Sequence, residues 1–357
     1  MIFTGLYCKE VAVNIVVLAG GLSPERDVSL SSGVMACNAF LQLGHKAILL
    51  DLFFGLPGFD GDVNALFADA QPLPPYKIQD TAPDLRQIAA SRESGWSDSI
   101  GLNVIEICRE ADIVYMALHG ADGENGSVQH VFDTFGIRYT GSGAEGCRLA
   151  MEKDKAKEVF GVNGVLTPQG RLLEKNIPCD LEALPLPAVV KPNSGGSSIG
   201  ISIAKTPEEL RQAIALAFAH EDRILVEEYI QGKELSCGVL GGAALPVIEI
   251  IPKVGFYDYI NKYKPGATEE ITPARISKAD TKLVQSVAEK VFSLLKLSVY
   301  GRIDFLLTED GRAYCLEANT LPGMTPTSLL PQEAAAKGIA YPALCEKIIE
   351  LSLEKYQ

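Results

Sequence analysis

GRIDFLLTEDGRAYCLEANTLPGMTPTSLLP, residues Gly301 to Pro331, contains two runs of strand composition, GRIDFLL and RAYCLEANT, separated by Asp310-Gly311. Asp-Gly between two such runs predicts a hairpin with a two-residue loop. In that register Asp304 faces Glu317 and Arg302 faces Asn319. Side chains repeat with a period of two along a strand, so all four project from one face. That face carries two carboxylates, an amide oxygen and a guanidinium. Oxygen donors of this kind suit Mg2+, and a hard cation beside a fixed arginine is what phosphoryl transfer needs.

The whole chain has 357 residues with 47% hydrophobic content, enough for a soluble globular protein of two or three domains. Its formal net charge of -13 argues against a nucleic-acid partner. Local Lys, Arg and backbone amides remain able to hold an anionic cofactor. No run approaches the roughly 18 apolar residues of a membrane span. Glu10 and the Gly-Gly pair that follows the first apolar run argue against a signal peptide, so no membrane partner and a cytoplasmic location are expected. The eight cysteines show no metal-binding spacing and read as reduced packing residues.

Upstream, VAVNIVVLAGG (Val11 to Gly21) has a buried-strand pattern, and SLSSGVMACNAFLQLG predicts a helix opened by Ser29 and closed by Gly44. KAILLDLF and ADIVYMALHG repeat the strand theme, predicting an α/β fold with an open parallel sheet of doubly wound type. Such sheets place function at strand ends, which singles out Glu25, Arg26 and His119. Phe54 to Gly101, rich in Pro, Asp and Gly, reads as an irregular insertion.

A second region begins near Ser142. GSGAEGCRLAMEKDKAKEVFG predicts one helix bearing Lys153, Lys155 and Lys157. Then LPAVVKPNSGGSSIGISIA combines a strand ending in Lys191 with a small, flexible loop, Asn193 to Gly200. Backbone amides of such a loop can wrap a triphosphate while the lysine neutralises it. The lysine precedes the glycines, which excludes an ordinary P-loop. In ILVEEYIQGKEL, Glu227 and Glu234 flank Tyr229 and Ile230, an apolar slot between acceptors that suits adenosine.

Taken together, GGLSPERDVSLSSG, ALHGADGENG, VKPNSGGSSIG, the Lys262-Tyr263 pair in a long loop, GRIDF and LEANTLPGMTPTSLLP resemble the ATP-grasp family, and within it the D-alanine:D-alanine ligases. The motifs occur in the family's order and span most of the chain. It departs from the pattern in its enlarged insertion, its extension before Val11 and Asn193-Ser194-Gly195 in the phosphate loop.

The resemblance implies three domains, 1–142, 143–227 and 228–357, the latter two α+β and clasping ATP. Lys153 and Lys191 would contact its phosphates, with Lys155 or Lys157 as alternatives for the helix contact. Ser197 would join them, while Glu227, Tyr229, Ile230 and Glu234 would line the adenosine pocket. Asp304, Glu317 and Asn319 would hold two Mg2+ ions, or Mn2+. Glu25 would bind the ammonium of the first D-alanine, His119 would arrange that subsite, and Arg302 with the Gly323 N–H would stabilise the oxyanion. Ser197, Tyr263 and Glu25 would form a triad ordering the loop. Lys262, Ser328 and Leu329 would receive the second substrate, beneath a lid at 255–273. A homodimer is expected. The alternative activity is the D-alanine:D-serine or D-alanine:D-lactate ligation of vancomycin-resistance relatives, which Tyr263 and Leu329 disfavour. An ATP-grasp ligase for other substrates would lack Glu25, Tyr263 and Ser328, and a non-catalytic nucleotide binder would lack the metal ligands.

Overall fold

The computed structural model describes residues 12–59, 61–79, 81, 83–92, 99–196, 198–253, 255, 266–325 and 327–357. The first sheet is parallel, with strands β1 (Asn14–Ala19), β2 (Lys46–Asp51) and β3 (Ile113–Met116) in the order β2-β1-β3. Ile15 to Ala19 are all fully buried, as expected of a central strand covered on both faces. The following helix spans Arg26–Leu43 and starts earlier than Ser29. The Ser29 hydroxyl is committed elsewhere: it accepts from Gly20 N at 2.8 Å and donates to Ala117 O at 2.8 Å, tying the helix to the ends of β1 and β3. Gly44 closes the helix in a left-handed conformation, as expected.

This core has an unexpected contributor. The last helix, Tyr341–Glu354, inserts Leu344, Cys345, Ile348 and Ile349 into the same apolar cluster as Ile15, Leu18 and Phe40. His45 pairs with Glu346 at 2.8 Å beside it.

The lysine-bearing segment forms two helices rather than one, Ala144–Met151 and Lys153–Val162, with Glu152 between them in extended backbone. Neither Pro nor Gly causes the break. Instead Asn193 caps the second helix from outside, its carbonyl taking Lys153 N at 3.1 Å and its side chain taking Asp154 N at 3.0 Å. The predicted phosphate loop is thereby anchored to the lysine helix.

The second sheet is antiparallel, β4 (Gly170–Glu174), β5 (Ala188–Pro192), β6 (Ser202–Ala204) and β7 (Arg223–Glu228), ordered β4-β7-β5-β6. The third contains β8 (Lys233–Leu240), β9 (Ala243–Ala244), β10 (Ile248–Pro252), β11 (Thr268–Ile271), β12 (Tyr300–Leu307) and β13 (Ala313–Asn319). Its order is β11-β10-β8-β12-β13, with β9 on β8. The α/β and α+β parts predicted from sequence are both present.

In the β12/β13 hairpin, Arg302 pairs with Asn319 and Asp304 with Glu317, as expected. The two-residue loop is not found. Thr308 N bonds Arg312 O, so Glu309, Asp310 and Gly311 form a three-residue loop with Gly311 at φ 78. Pairs near the turn, such as Leu307 with Ala313, are therefore offset by one. An irregularity at Asp304/Phe305, where Leu316 is the extra residue, restores the predicted register.

Candidate functional site

The hairpin face is the centre of the site. Arg302 donates to Asp304 through Nε at 2.9 Å and Nη2 at 2.8 Å, a bidentate pair. Ser236, opposite on β8, donates to Asp304 Oδ1 at 2.7 Å, and Asn319 Nδ2 donates to Oδ2 at 3.0 Å. With its nitrogen so engaged, Asn319 keeps its carbonyl oxygen as a ligand atom. Glu317 lies 3.7 Å from the Lys153 ammonium. Both carboxylates thus face cations already, and a donor set of two carboxylates and an amide fits Mg2+ completed by phosphate and water oxygens. Among the described residues no three or more His, Cys, Asp or Glu side chains group so as to hold a metal ion by themselves, so a cation here would depend on Asn319 and on phosphate and water oxygens as well.

Three adjoining spaces meet at this face. A cleft of about 520 Å³ is lined by Lys191, Glu227, Tyr229, Ile230 and Glu234, together with Asp304 and Glu317. A cavity of about 120 Å³ is lined by Glu25, His119, Arg302, Asn319, Gly323, Ser328 and Leu329, among others. Lys153, Gly195, Glu317 and Asn319 border a gap of about 30 Å³. Shared lining makes Glu317 and Asn319 the hinge between cleft, gap and cavity. Every predicted site residue that is described is therefore brought together. Ser197, Lys262 and Tyr263 fall outside the described residues.

The cleft's cations are organised by one buried carboxylate. Glu227 is 2% exposed, with Lys157 at 2.7 Å on one oxygen and Lys191 at 2.8 Å on the other. Burial alone would raise its pKa, but Lys191 and Lys157 outweigh that and hold it below the ordinary carboxylate range. Glu227 reaches the cleft as expected, yet its carboxylate serves the lysines. Burial pushes the Lys157 and Lys153 ammonium groups down. Lys153 points inward and donates to Gly195 O at 2.5 Å, whereas Lys155 is half-buried and pairs with Glu158. Of the three lysines, Lys153 lies beside the gap and Lys157 behind Glu227.

At the cavity, Glu25 occupies the N-cap of the Arg26–Leu43 helix. A Cβ at Gly196 would lie 3.5 Å from Glu25 Oε2, so the chain at Gly196 passes directly over this carboxylate. Arg26 is not solvated surface: it is buried against Asp51 and donates to Gly21 O at 2.6 Å. His119 is also buried. Its Nδ1 donates to Leu321 O at 3.0 Å, which leaves Nε2 to accept from Ser32 at 3.2 Å. Burial lowers its pKa, so a neutral ring ties the helix to the chain leaving β13. Ser328 bonds Thr325 at 2.8 Å, and a Cβ at Gly323 would lie 2.7 Å from the Ser328 hydroxyl.

One cavity residue was missed. Glu124 accepts from Gly120 N at 2.8 Å, and burial, followed by Glu25, pushes its pKa up to about 8. ALHGADGENG contains it, but only the fold shows that this turn carries Glu124 beside Glu25.

Comparison with known proteins agrees with this geometry. The D-ala D-ala ligase N-terminus model matches residues 14–142, and the D-ala D-ala ligase C-terminus model matches residues 167–350. The chain belongs to the D-Ala–D-Ala ligase family. Within that family, it is 44% identical over 340 residues to the D-alanine–D-alanine ligase of Pediococcus pentosaceus, covering 94% of this chain and 97% of the other. The Lacticaseibacillus casei D-alanine–D-alanine ligase is 42% identical over 346 residues, covering 96% and 97%. The crystal structure of the D-alanine–D-alanine ligase from Bacillus anthracis complexed with ATP superposes with a TM-score of 0.74 at 29% identity, covering 97% of this chain and 98% of that one. The three-sheet arrangement is thus the D-Ala–D-Ala ligase form of the ATP-grasp fold. Among the described residues, no helix is long and apolar enough to cross a membrane.

Proposed function

We propose that this protein ligates two D-alanine molecules to D-alanyl-D-alanine, converting ATP to ADP and phosphate, for peptidoglycan precursors. The observation that carries the reading is one hairpin face shared by a nucleotide-sized cleft and a cavity sized for small amino acids. The first carboxylate oxygen attacks the γ-phosphorus and ADP leaves. The amine of the second D-alanine then attacks the acyl phosphate carbon, loses a proton and expels phosphate. A carboxylate is a poor electrophile until phosphorylated, hence the need for ATP.

Lys153 and Lys191 neutralise the phosphates with Ser197 of the 193–200 loop, while Glu227, Tyr229, Ile230 and Glu234 line the adenosine pocket. Asp304, Glu317 and Asn319 would hold two Mg2+ ions, which supply charge neutralisation and polarise the transferred phosphoryl group. Glu25 receives the first ammonium, and His119 fixes the wall around it. Arg302 and the Gly323 N–H meet the tetrahedral oxyanion. Ser328 and Lys262 take the second carboxylate. The lid expected at 255–273 is shorter than that range, because Thr268–Ile271 form β11 against β10; its remainder, ordered through Glu25, Ser197 and Tyr263, excludes water from the acyl phosphate. The division at 142/143 and 227/228, a homodimer and a cytoplasmic location belong to the same reading.

Leu329, 3% exposed beside Ser328, offers no partner to a serine hydroxyl, and an unpaired hydroxyl costs about 1 to 3 kcal/mol. Phosphate release should therefore be strongest with D-alanine alone in a panel of D-alanine, D-serine and D-lactate acceptors. A higher kcat/KM for D-serine or D-lactate would overturn the assignment.

Glu124 adds a pH dependence. Its carboxyl is protonated below about pH 8 and gains negative charge as pH rises through that value, beside the ammonium site. KM for the first D-alanine should fall across that step. In Glu124→Gln the step should be absent from a pH profile, and its persistence would assign it to another group.

A further inference from the structure

The insertion has a place in this site. Residues 71–79 run without helix or strand, yet two side chains of the Arg26–Leu43 helix tie them down. Asn38 clamps Leu73 in both directions, Nδ2 donating to its carbonyl at 2.8 Å and Oδ1 accepting from its N–H at 2.8 Å. Asp27, 7% exposed, accepts from the Tyr76 hydroxyl at 3.0 Å and from Gln79 N at 3.3 Å. Between the Tyr76 and Gln79 bonds the chain delivers Ile78 to the wall of the 120 Å³ cavity, where Val28, the neighbour of Asp27, also lies.

We infer that Ile78 sets the size limit for the side chain of the first D-amino acid, with residues 71–79 acting as a tethered strap. The inference rests on the ligase reading. Val28 lies one turn from Glu25 on the same helix end, and Ile78 is tied there through Asp27, whereas Ser328 and Leu329 come from the chain after β13, so the Ile78 wall borders the ammonium-binding substrate. A β-branched side chain is stiff and makes a poorly yielding wall. An apolar pocket that closes on a methyl group discriminates against one further methylene by about 10- to 200-fold.

The test compares D-alanine with D-2-aminobutyrate, reading which residue occupies each product position by fragmentation mass spectrometry. Ile78→Ala should raise the kcat/KM ratio of D-2-aminobutyrate to D-alanine at the N-terminal position by about tenfold, with the C-terminal position unmoved. Ile78→Val should shift the ratio less, in the same direction, and provides the test if the alanine variant does not fold. Asn38→Ala, remote from the cavity, should also relax N-terminal selectivity by loosening the strap. An unchanged ratio in a folded Ile78 variant, or relaxation only at the C-terminal position, would overturn the inference. A wild-type protein that makes no dipeptide would instead sink the ligase reading.

Discussion

Arg302→Ala is expected to lower dipeptide formation by about 10²- to 10³-fold, the usual effect of removing one oxyanion donor, while ATP still binds. The guanidinium lines the small cavity, whereas the side chains proposed to hold adenosine line the cleft. Its bidentate bond to Asp304 fixes its plane in advance, so little reorganisation remains when negative charge develops. The same bond means that the variant exposes the Asp304 carboxylate rather than removing it, and metal affinity should not collapse. Arg302→Lys keeps the charge but loses the planar fork, so it should recover only part of the rate. ATP titration alongside dipeptide turnover separates the outcomes: unchanged turnover refutes the oxyanion role, and lost ATP binding relocates Arg302 to the nucleotide.

Glu227→Ala should be the most destabilising single change at the site. It strands Lys157 and Lys191 in a buried place, and removing one partner of such a cluster costs about 3 to 5 kcal/mol. Glu227→Gln, which keeps the shape and loses the charge, should cost less. The sign of the pH dependence is fixed by the depressed carboxyl pKa. Its stabilisation is present above the ordinary carboxylate range and is lost as pH falls through the native value, so wild type and variant should converge in acid. Urea unfolding at several pH values measures this, together with a higher KM for ATP because Lys191 loses its anchor. Equal stability at neutral pH would show that solvent, not Glu227, satisfies the lysines.

The facing pairs Arg302 with Asn319 and Asp304 with Glu317 were legible because strand alternation is a fixed geometric rule. It tolerated an error in the turn. Asp-Gly serves both two- and three-residue loops, and the offset at Leu316 cancelled the difference before the register reached Asp304. What sequence alone could not supply was distant partnership. Nothing local to Glu227 announces Lys157 and Lys191 as its partners. The break at Glu152 was hidden for the same reason, since its cause is Asn193 on another element. Ile78 lay in a stretch with no periodicity, and only the tethers from Asp27 and Asn38 give it a position.

The last helix bears on how this molecule is made. β1 leaves the ribosome early, but the Tyr341–Glu354 helix that fills part of its core is translated only after the thirteen strands of the described residues. Domains generally fold in order of synthesis, yet the core of the first sheet lacks part of its apolar cover until this helix is made, while the clusters under the other two sheets contain none of its residues. The N-terminal unit would then be the last to finish, and the most dependent on chaperone shelter during translation.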